Sequence, residues 1–253
     1  MLFKSFLTAF ATYSAIPVPR FRWDERAADY ALGFFPAVGA VCGCALGAWF
    51  LLCRRLGADW ALFSAVAVCL PLFVTGGIHM DGYMDTADAV ASHQSRERKL
   101  EIMKDSGCGA FAVIWCGIYL LLSFGLFHAL YPERAIWAVC PGYVLSRALS
   151  ALCALLLPKA RRTGMLHTYT GQSRNPGLVS ACAAEAILAA GVTVLLGGVP
   201  GLCAVLLAGV TVPLYRLFAL RQFGGVTGDT AGAFLQVCEL AVLAGLWIGE
   251  RIA

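Results

Sequence analysis

Charged residues are scarce in this chain of 253 residues. They make up 13% of the sequence, whereas an ordinary soluble domain carries about 25%. Hydrophobic residues make up 60%, and the mean hydropathy is +0.76. A soluble domain of this length has too little interior to hide so much apolar surface, so we expect lipid to cover it. The composition therefore disfavours the alternative of a soluble protein with a large helical core.

Several other features are missing as well. The 11 cysteines are scattered without a CxxC pair, which favours apolar packing residues over a metal or disulfide framework. No basic cluster is interleaved with aromatic residues, so we expect no nucleic acid as a partner. Residues 6–10 are too short an apolar run for a signal peptide. Because repeats, low-complexity tracts and soluble linkers are also missing, we expect a single domain over residues 1–253.

Long apolar runs are abundant instead. A helix needs about 20 apolar residues to cross the hydrocarbon core of a bilayer, and residues 30–53, 60–80, 109–132 and 186–215 contain no Asp, Glu, Lys or Arg. The pattern predicts an all-α, polytopic integral membrane helix bundle with about seven transmembrane helices. We place them at about residues 30–53, 60–79, 109–131, 135–157, 178–197, 201–220 and 231–249. Residues 2–16 are expected to form an interfacial helix that lies on the lipid bilayer.

Lys and Arg are distributed unevenly between the two ends of these spans. With the N-terminus in the cytoplasm, the inner segments hold 14 of them, the outer segments hold 4, and Arg147 lies within a span. Inner loops of membrane proteins carry the excess of positive charge. The count therefore predicts that the two longest polar loops, residues 80–108 and 158–177, face the cytoplasm.

Residues 75–88, TGGIHMDGYMDTAD, are the most informative segment. Asp81, Asp85 and Asp88 are spaced i, i+4, i+7, so a helix places their carboxylates on one face. At ~6 Å and an effective dielectric constant near 20, each adjacent pair repels by about 3 kcal/mol. A divalent cation removes this cost, and Mg²⁺ is typically held by one or two carboxylates together with phosphate oxygens. We therefore predict that Asp81, Asp85 and Asp88 hold Mg²⁺.

Two alternatives remain open for this acidic segment. It could be a solvated loop without a ligand, or the coupling site of an ion-driven transporter, which also uses aspartates at membrane depth. The cations that follow, in residues 96–99 and 104, favour a phosphate-bearing substrate instead. We expect Arg98 to bind substrate and Lys104 to hold a phosphate. Asp105 is a candidate for a further metal ligand or for the general base. Asp88 is also a candidate for the general base.

Two further residues of the acidic segment are candidates for substrate binding. Gly82 leaves room for a substrate to approach the backbone. His79 lies at the end of the second predicted span, where a hydrogen-bonded structural role competes with substrate binding or acid–base chemistry. Both are retained as candidate substrate-binding residues.

Two further polar segments are candidates for binding anions. Residues 224–230, GGVTGDT, form a glycine-rich turn whose backbone N–H groups could cradle a phosphate. Thr227 and Asp229 are candidate substrate contacts there, although a carboxylate at that position is also an ordinary N-cap. Arg161 and Arg162 in the third polar loop serve either as orientation signals or as a clamp for anionic substrate groups.

Two charges are expected deep within the bundle. Arg147 lies inside the fourth predicted span, and Glu239 lies inside the seventh. An unpaired charge at that depth costs at least ~3 kcal/mol. We therefore expect the two side chains to lie near each other or to share a water-filled cavity.

The chain resembles the cobalamin synthase family, also called adenosylcobinamide-GDP ribazoletransferase, nearly from end to end. The opening block is FLTAF at residues 6–10 with IPVP at 16–19 and FFPAVG at 34–39. The acidic segment is the second block. Residues 96–106, RERKLEIMKDS, with GAF at 109–111 form the third, and residues 224–232 with Glu239 form the fourth. Residues 83–84 and 89–93 depart from the family pattern without removing a carboxylate.

The resemblance implies an enzyme of the cytoplasmic (inner) membrane whose active site faces the cytoplasm. The family joins adenosylcobinamide-GDP to α-ribazole or its 5′-phosphate, releases GMP and depends on Mg²⁺. The nearest alternative is another membrane phosphotransferase of the CDP-alcohol type, and an ion-coupled transporter is the alternative from another class. An oligomer is compatible with the sequence, which does not specify one.

Overall fold

The computed structural model describes residues 1–22, 24–105, 107–130, 133–161 and 175–253. Within these residues the fold is all-helical, as predicted, and no β-strand is present. A single isolated bridge joins Lys159 to Val226. The helices are α1 Leu2–Tyr13, α2 Glu25–Ala28, α3 Phe35–Leu56, α4 Trp60–Thr75, α5 Ile78–Ala91, α6 Arg96–Ile102, α7 Ala110–Ala129, α8 Glu133–Leu156, α9 Pro176–Gly197, α10 Val199–Phe223 and α11 Gly228–Ile252.

The described part of the chain contains six helical segments that are long and apolar enough to cross a membrane, and the bent pair α4–α5 brings the number to seven. This confirms the predicted polytopic helix bundle. A 3₁₀ turn, Ala31–Phe34, leads into α3. The predicted break near residues 197–201 lies at Gly198, between α9 and α10.

The second span is shorter than predicted. Its helix, α4, ends at Thr75 instead of near residue 79, because Gly76 and Gly77 follow in the left-handed conformation with φ of 64° and 79°. Residues with a Cβ rarely adopt this conformation. The chain bends by 96° there, so α5 does not continue the direction of α4. It packs instead on α11 at the end of the bundle.

The N-terminal helix α1 is shorter than the predicted residues 2–16, and its apolar face is divided. Leu7 and Phe10 are buried against the bundle, whereas Phe3 is 71% exposed. Phe6 packs edge-on against Phe34 of the 3₁₀ turn, with ring centroids 5.9 Å apart. The helix therefore covers the bundle with one part of its apolar face and leaves the rest open.

The chain links gather at two opposite ends of the bundle. At one end, Ala15 N–H donates to the Val74 carbonyl, and residues 158–160 pair with Val226. At the other end, the Trp60 indole donates to the His128 carbonyl, and Arg134 donates to the Leu196 carbonyl. The described parts of the segments assigned to the cytoplasm by their charge therefore lie together at the first end.

Helices α8 and α11 form the interior of the bundle. Helix α8 packs against α3 and α9, and α11 packs against α10, α5 and α8. Arg147 of α8 and Glu239 of α11 form an ion pair at 2.7 Å, and their side chains are 0% and 6% exposed. This confirms the expectation that the two charges lie together. The Arg147 guanidinium also donates to the Tyr143 carbonyl and lies over the Phe35 ring.

The cysteines are free in the part of the chain that the structure describes. Most of them lie within the long apolar helices. They therefore act as small packing residues in the bundle.

Candidate active site

Helix α5 carries the acidic face that the spacing predicts. Asp81, Asp85 and Asp88 all lie within Ile78–Ala91, so their i, i+4, i+7 spacing places them on one side of a regular helix. Asp81 is exposed, and the other two are half-buried. The first turn of α11 brings a fourth carboxylate, Asp229, to the same place. Four acidic side chains therefore lie at the end of the bundle that holds the cation-rich segments, close enough for their charges to interact.

Asp85 lies in the middle of this group. Burial and the negative charges of Asp81, Asp229 and Asp88 raise the pKa of the Asp85 carboxyl to about 6. The raised pKa means that the Asp85 carboxyl keeps its proton to a higher pH than an isolated aspartic acid does. A cation bound between the carboxylates would offset the repulsion among them, although the larger cause of the rise is burial.

Asp88 has a structural role that the sequence interpretation missed. One carboxylate oxygen accepts the Gly109 N–H at 2.6 Å, and the other accepts the Ala112 N–H at 2.8 Å. These are donors of the first turn of α7, whose N-cap position is held by Gly109, a residue with no side chain to accept them. A glycine at this N-cap position was the one sign in the sequence that another side chain must cap α7. Asp88 therefore fixes the start of α7 on α5, and its role as a metal ligand or base stays a prediction.

Gly82 is required for the contact between α5 and α11. A Cβ at this position would lie 2.8 Å from the Asp229 carbonyl oxygen and 2.9 Å from the Asp229 Cα. The space beside Gly82 is therefore taken by α11, which corrects the expectation that it is open to a substrate. The same contact holds Asp229 beside the acidic face.

The glycine-rich turn before α11 is a helix cap. The backbone N–H groups of residues 224–227 all donate within the protein, to carbonyls of α10, to Pro158 and to the Thr230 hydroxyl. Thr227 is the N-cap and forms a reciprocal capping box with Thr230, at 3.1 and 2.9 Å. Asp229 follows two residues after the cap. These N–H groups are thus not available as an anion cradle, and direct substrate contacts of Thr227 and Asp229 stay predictions.

The cations of α6 divide into two groups. Arg96 donates to the Arg221 carbonyl at the end of α10, and buried Lys99 donates to Gln222 at 2.6 Å. They fasten α6 to α10, a role that the sequence interpretation missed. Arg98 points into solvent and pairs with Glu101 at 2.8 Å, both side chains being more than 60% exposed, so this pair adds little stability.

The short segment between α6 and α7 holds the predicted catalytic pair of Lys104 and Asp105. Both side chains are exposed. One Asp105 oxygen accepts the Gly107 N–H at 3.2 Å. Because Gly109 is held by Asp88, this segment is tied to the acidic helix at its far end. Lys104 and Asp105 are therefore open to solvent in a segment whose far end is bound to α5, and their catalytic roles stay predictions.

Arg161 follows the paired segment 158–160. Its guanidinium donates to the Leu100 carbonyl and attracts the Asp229 carboxylate electrostatically. Arg161 therefore links α6 with the start of α11 at the rim of the acidic group. Arg162, the other predicted anion contact, lies outside the described residues.

His79 lies in the first turn of α5, on the side away from the carboxylates. It is 6% exposed, and its ring packs near Phe35 and Tyr13 at centroid distances of 5.3 and 6.4 Å. Its Nε2 has no hydrogen-bond partner among the residues described. These surroundings are those of a packed structural side chain, and acid–base work by His79 stays a prediction.

The donor set suits Mg²⁺ bound together with a substrate. In the described ranges, no three His, Cys, Asp or Glu side chains converge as a ready-made metal cage. Mg²⁺ does not need one, because it usually takes one or two carboxylates and completes its shell with water and phosphate oxygens. Acceptor-only carboxylates that repel each other at an open surface fit that arrangement.

The fold and the site together define a polytopic helical membrane protein with a carboxylate-rich site at one end of its bundle. A family model described as cobalamin-5-phosphate synthase matches residues 5–247. The chain belongs to this family and is an enzyme. No solved structure matches the chain.

Curated relatives share nearly the whole length. A protein of Lachnoclostridium phytofermentans named adenosylcobinamide-GDP ribazoletransferase is 37% identical over 249 residues, covering 98% of this chain and 95% of the relative. Proteins of the same name from Clostridium botulinum and Pseudomonas fluorescens are 30% and 36% identical. The alignment with the Clostridium botulinum protein covers 96% of both chains. The alignment with the Pseudomonas fluorescens protein covers 84% of this chain and 86% of the relative.

Proposed function

We propose that this protein joins adenosylcobinamide-GDP to α-ribazole or its 5′-phosphate and releases GMP, the final assembly step of the cobalamin nucleotide loop. The observation that carries the proposal is that Asp81, Asp85, Asp88 and Asp229 lie at one end of a membrane bundle, close enough for their charges to interact. The names of the relatives supply the substrates. The excess of positive charge at the same end supports a site that faces the cytoplasm from the inner membrane.

Asp81 and Asp85 are the residues we propose to hold Mg²⁺, with Asp88 and Asp229 beside them. When bound, the ion supplies positive charge that stabilises the diphosphate as its bonds change. The half-buried position of Asp85 and the charges around it support this assignment. The two N–H bonds of Asp88 keep its carboxylate in a fixed place on the same face.

The chain's own groups then have separate tasks in the transfer. The ribazole hydroxyl oxygen forms a bond to the phosphorus next to cobinamide, and the bond from that phosphorus to the oxygen of GMP breaks. We assign the hydroxyl proton to Asp105 in preference to Asp88. Both Asp88 oxygens already accept N–H bonds, whereas Asp105 uses one oxygen to accept the Gly107 N–H and keeps the other for the proton. Lys104 balances charge on the departing GMP. The anionic groups of the substrates are assigned to Arg98, Arg161 and Arg162, of which Arg161 is supported by its attraction to Asp229 at the rim of the acidic group.

The test is the reaction with purified protein in lipid nanodiscs. With Mg²⁺, adenosylcobinamide-GDP and α-ribazole, we expect GMP and a completed corrinoid in equal amounts. Omission of α-ribazole should suppress GMP release, because the attacking hydroxyl is absent. EDTA should stop the reaction, and added Mg²⁺ should restore it. The Asp81→Asn variant is expected to lose about 10²-fold or more in rate.

The other outcomes identify the alternatives. CMP release from a lipid donor without GMP would show a CDP-alcohol phosphotransferase. Movement of a solute into sealed vesicles without coupled GMP formation would show a transporter. Full activity in EDTA would contradict the Mg²⁺ assignment alone.

A further inference from the structure

A small cavity lies inside the bundle, beside the ion pair of Arg147 and Glu239. Its volume is about 20 Å³, and helices α4, α7, α8 and α11 supply its walls. Every residue that lines it is buried. A water molecule needs about 10–15 Å³ of such space, so the cavity has room for water but not for a substrate. Of the residues described, none on the acidic helix α5 lines it.

Four polar side chains lie in the otherwise apolar wall of this cavity. Tyr119 and Ser123 come from α7, Tyr143 comes from α8, and Glu239 comes from α11. Ser123 is 2% exposed, and its Oγ has no hydrogen-bond partner in the described part of the chain. A buried hydroxyl without a partner is costly, which points to a ligand that can bond with it.

The Glu239 carboxylate is only half satisfied by its ion pair. Its Oε1 atom accepts from the Arg147 guanidinium at 2.7 Å and from the Ser146 hydroxyl at 3.5 Å. Both hydrogen bonds that the described residues donate to Glu239 therefore end on the same oxygen. Glu239 keeps 6% of its exposure in the interior of the bundle, and it lines the cavity. A buried carboxylate oxygen without a donor is costly, so Oε2 requires a donor that can enter this space.

We propose that the cavity holds one ordered water molecule, which donates a hydrogen bond to Glu239 Oε2 and bonds with the Ser123 hydroxyl. Water suits this place because it donates and accepts at the same time. The cavity meets the two conditions for a buried water, which are sufficient room and two to four polar partners. Tyr119 and Tyr143 of the same wall bring further hydroxyl groups. The inference is independent of the proposed function.

Other occupants fit this cavity less well. A metal cation would be repelled by Arg147, whose charge already neutralises Glu239. An anion would meet the Glu239 carboxylate. A lipid chain is too large for the volume. A dry cavity would leave both Ser123 Oγ and Glu239 Oε2 without a partner, whereas cavities that stay dry are lined by apolar groups.

The water would join α7 to the centre of the bundle. Helix α7 packs on α4, α5 and α11, and much of its surface is exposed. A water bonded to Ser123 and Glu239 links this helix to α11 by hydrogen bonds in the interior. Through Glu239 the link continues to Arg147 of α8. The position of α7 in the bundle therefore depends on a polar contact as well as on apolar packing.

The experiment detects water beside individual side chains of the full chain in nanodiscs. The protein is mixed rapidly with H₂¹⁸O and exposed to an X-ray pulse, which turns water next to a side chain into hydroxyl radicals. Mass spectrometry should find oxygen added to Tyr119. Phe50 is the internal control, because it is 1% exposed and its ring packs against other aromatic rings. We expect no added oxygen there.

The isotope separates a bound water from bulk water. A molecule held by several hydrogen bonds inside the protein leaves slowly, so ¹⁸O should appear at Tyr119 later than at Tyr30. Tyr30 is half-buried and precedes the 3₁₀ turn that leads into α3. Entry of ¹⁸O at Tyr119 as fast as at Tyr30 would show a channel open to bulk water and would overturn the bound molecule.

A substitution tests the position of the water. Ser123→Val removes the hydroxyl and fills part of the cavity, so the label at Tyr119 should be lost. Ser64→Ala is the control for the loss of a buried serine hydroxyl, because Ser64 donates to the Trp60 carbonyl within α4 and does not line the cavity. It should leave the label unchanged. A label that persists in folded Ser123→Val would contradict the assigned position.

The wild type alone decides whether water is present, even if Ser123→Val does not fold. Added oxygen at Tyr119 no greater than at Phe50 would show a dry cavity and overturn the inference. None of these outcomes changes the expected formation of GMP, so the proposed function stands or falls by its own test.

Discussion

Asp85 and Asp88 differ in what their carboxylates contact, although they share one face of α5. Both Asp88 oxygens accept N–H groups at the start of α7, whereas Asp85 lies among other carboxylates. Substitution at the two positions should therefore have different consequences for stability. Spacing alone could not separate them, because the donors of Asp88 come from a helix more than 20 residues further along the chain.

The first prediction concerns Asp88. Asp88→Asn should destabilise the protein by about 1–2 kcal/mol, because an amide can accept only one of the two N–H bonds at the start of α7. Thermal unfolding in detergent measures the loss, and amide exchange of residues 109–112 should rise. Asp81→Asn is the control, since Asp81 is exposed and should affect turnover without affecting stability. Equal unfolding temperatures for the two variants would contradict the capping role.

The second prediction concerns pH. The pKa of the Asp85 carboxyl is raised to about 6 from an ordinary value of 3.8, so its neutral form is favoured by folding. The corresponding stability is present below pH 3.8 and is lost as the pH rises through about 6. Without Mg²⁺, the wild type should therefore unfold at a lower temperature at pH 7.5 than at pH 5. Asp85→Asn should reduce that difference.

Mg²⁺ provides the complementary measurement. At pH 7.5 the ion should raise the unfolding temperature of the wild type more than that of Asp85→Asn, because binding of a ligand to the folded state stabilises it. Glu101→Gln is the control, since Glu101 is an exposed surface carboxylate. In the pH experiment without Mg²⁺, an undiminished difference between pH 5 and pH 7.5 in Asp85→Asn would show that another group causes the pH dependence of stability.

Helix α5 owes its position to the turn that precedes it. Gly76 and Gly77 both have positive φ, and they redirect the chain by 96° at the end of α4. The apolar run continues past this turn to Met80, which is why hydropathy predicted a span that ends near residue 79. The two adjacent glycines were visible in the sequence, but their conformation depends on how α5 packs against α11.

The third prediction tests this turn. Gly77→Ala should cost about 1–2 kcal/mol from the left-handed backbone alone, because a Cβ there meets no atom within 4 Å. Gly117→Ala in α7 is the matched control, since its surroundings are equally open and its φ is ordinary. Alanine should be neutral or stabilising there. The comparison uses unfolding temperature and turnover, and equal effects of the two substitutions would exclude backbone strain at Gly77.

Other elements show what local pattern can and cannot predict. The helical register of the acidic face followed from its spacing, and the break at Gly198 followed from its glycines. The attachment of α6 to α10 by Arg96 and Lys99 did not follow, because the partners are the Arg221 carbonyl and Gln222, more than 120 residues away. The Thr227 cap was hidden because its reciprocal partner is Thr230 instead of the more usual Glu or Gln.

At the scale of the whole molecule, charge and hydropathy predicted both the number of spans and which links share an end. Each apolar run must cross the bilayer, so consecutive links alternate between its two sides. Which helices touch is a different matter, because neighbours are chosen by packing and long-range pairs. Arg147 and Glu239 are the exception, since the cost of an isolated charge made one partner predictable from the other.

The fourth prediction concerns the orientation in the membrane. In a background without other cysteines, Ser95→Cys should react with an impermeant thiol reagent only after the cells are opened. Leu56→Cys, at the opposite end of the bundle and 69% exposed, should react in intact cells. The reverse pattern would invert the orientation and deny the acidic site access to cytoplasmic nucleotides. A label at residue 164, which lies outside the described residues, would probe the third polar loop in the same way.

The ion pair between α8 and α11 has a consequence for how the protein is made. Arg147 and Glu239 are 92 residues apart, and a ribosome adds ~5–20 residues per second, so Arg147 emerges on the order of 10 s before its partner. Until then, a lone arginine in lipid costs about 2.5–3.5 kcal/mol. We therefore expect α8 to stay beside the membrane insertion machinery until α11 is synthesised. Crosslinking of ribosome-arrested chains should retain α8 at that machinery before residue 239 is exposed and release it afterwards, and Glu239→Gln should delay the release.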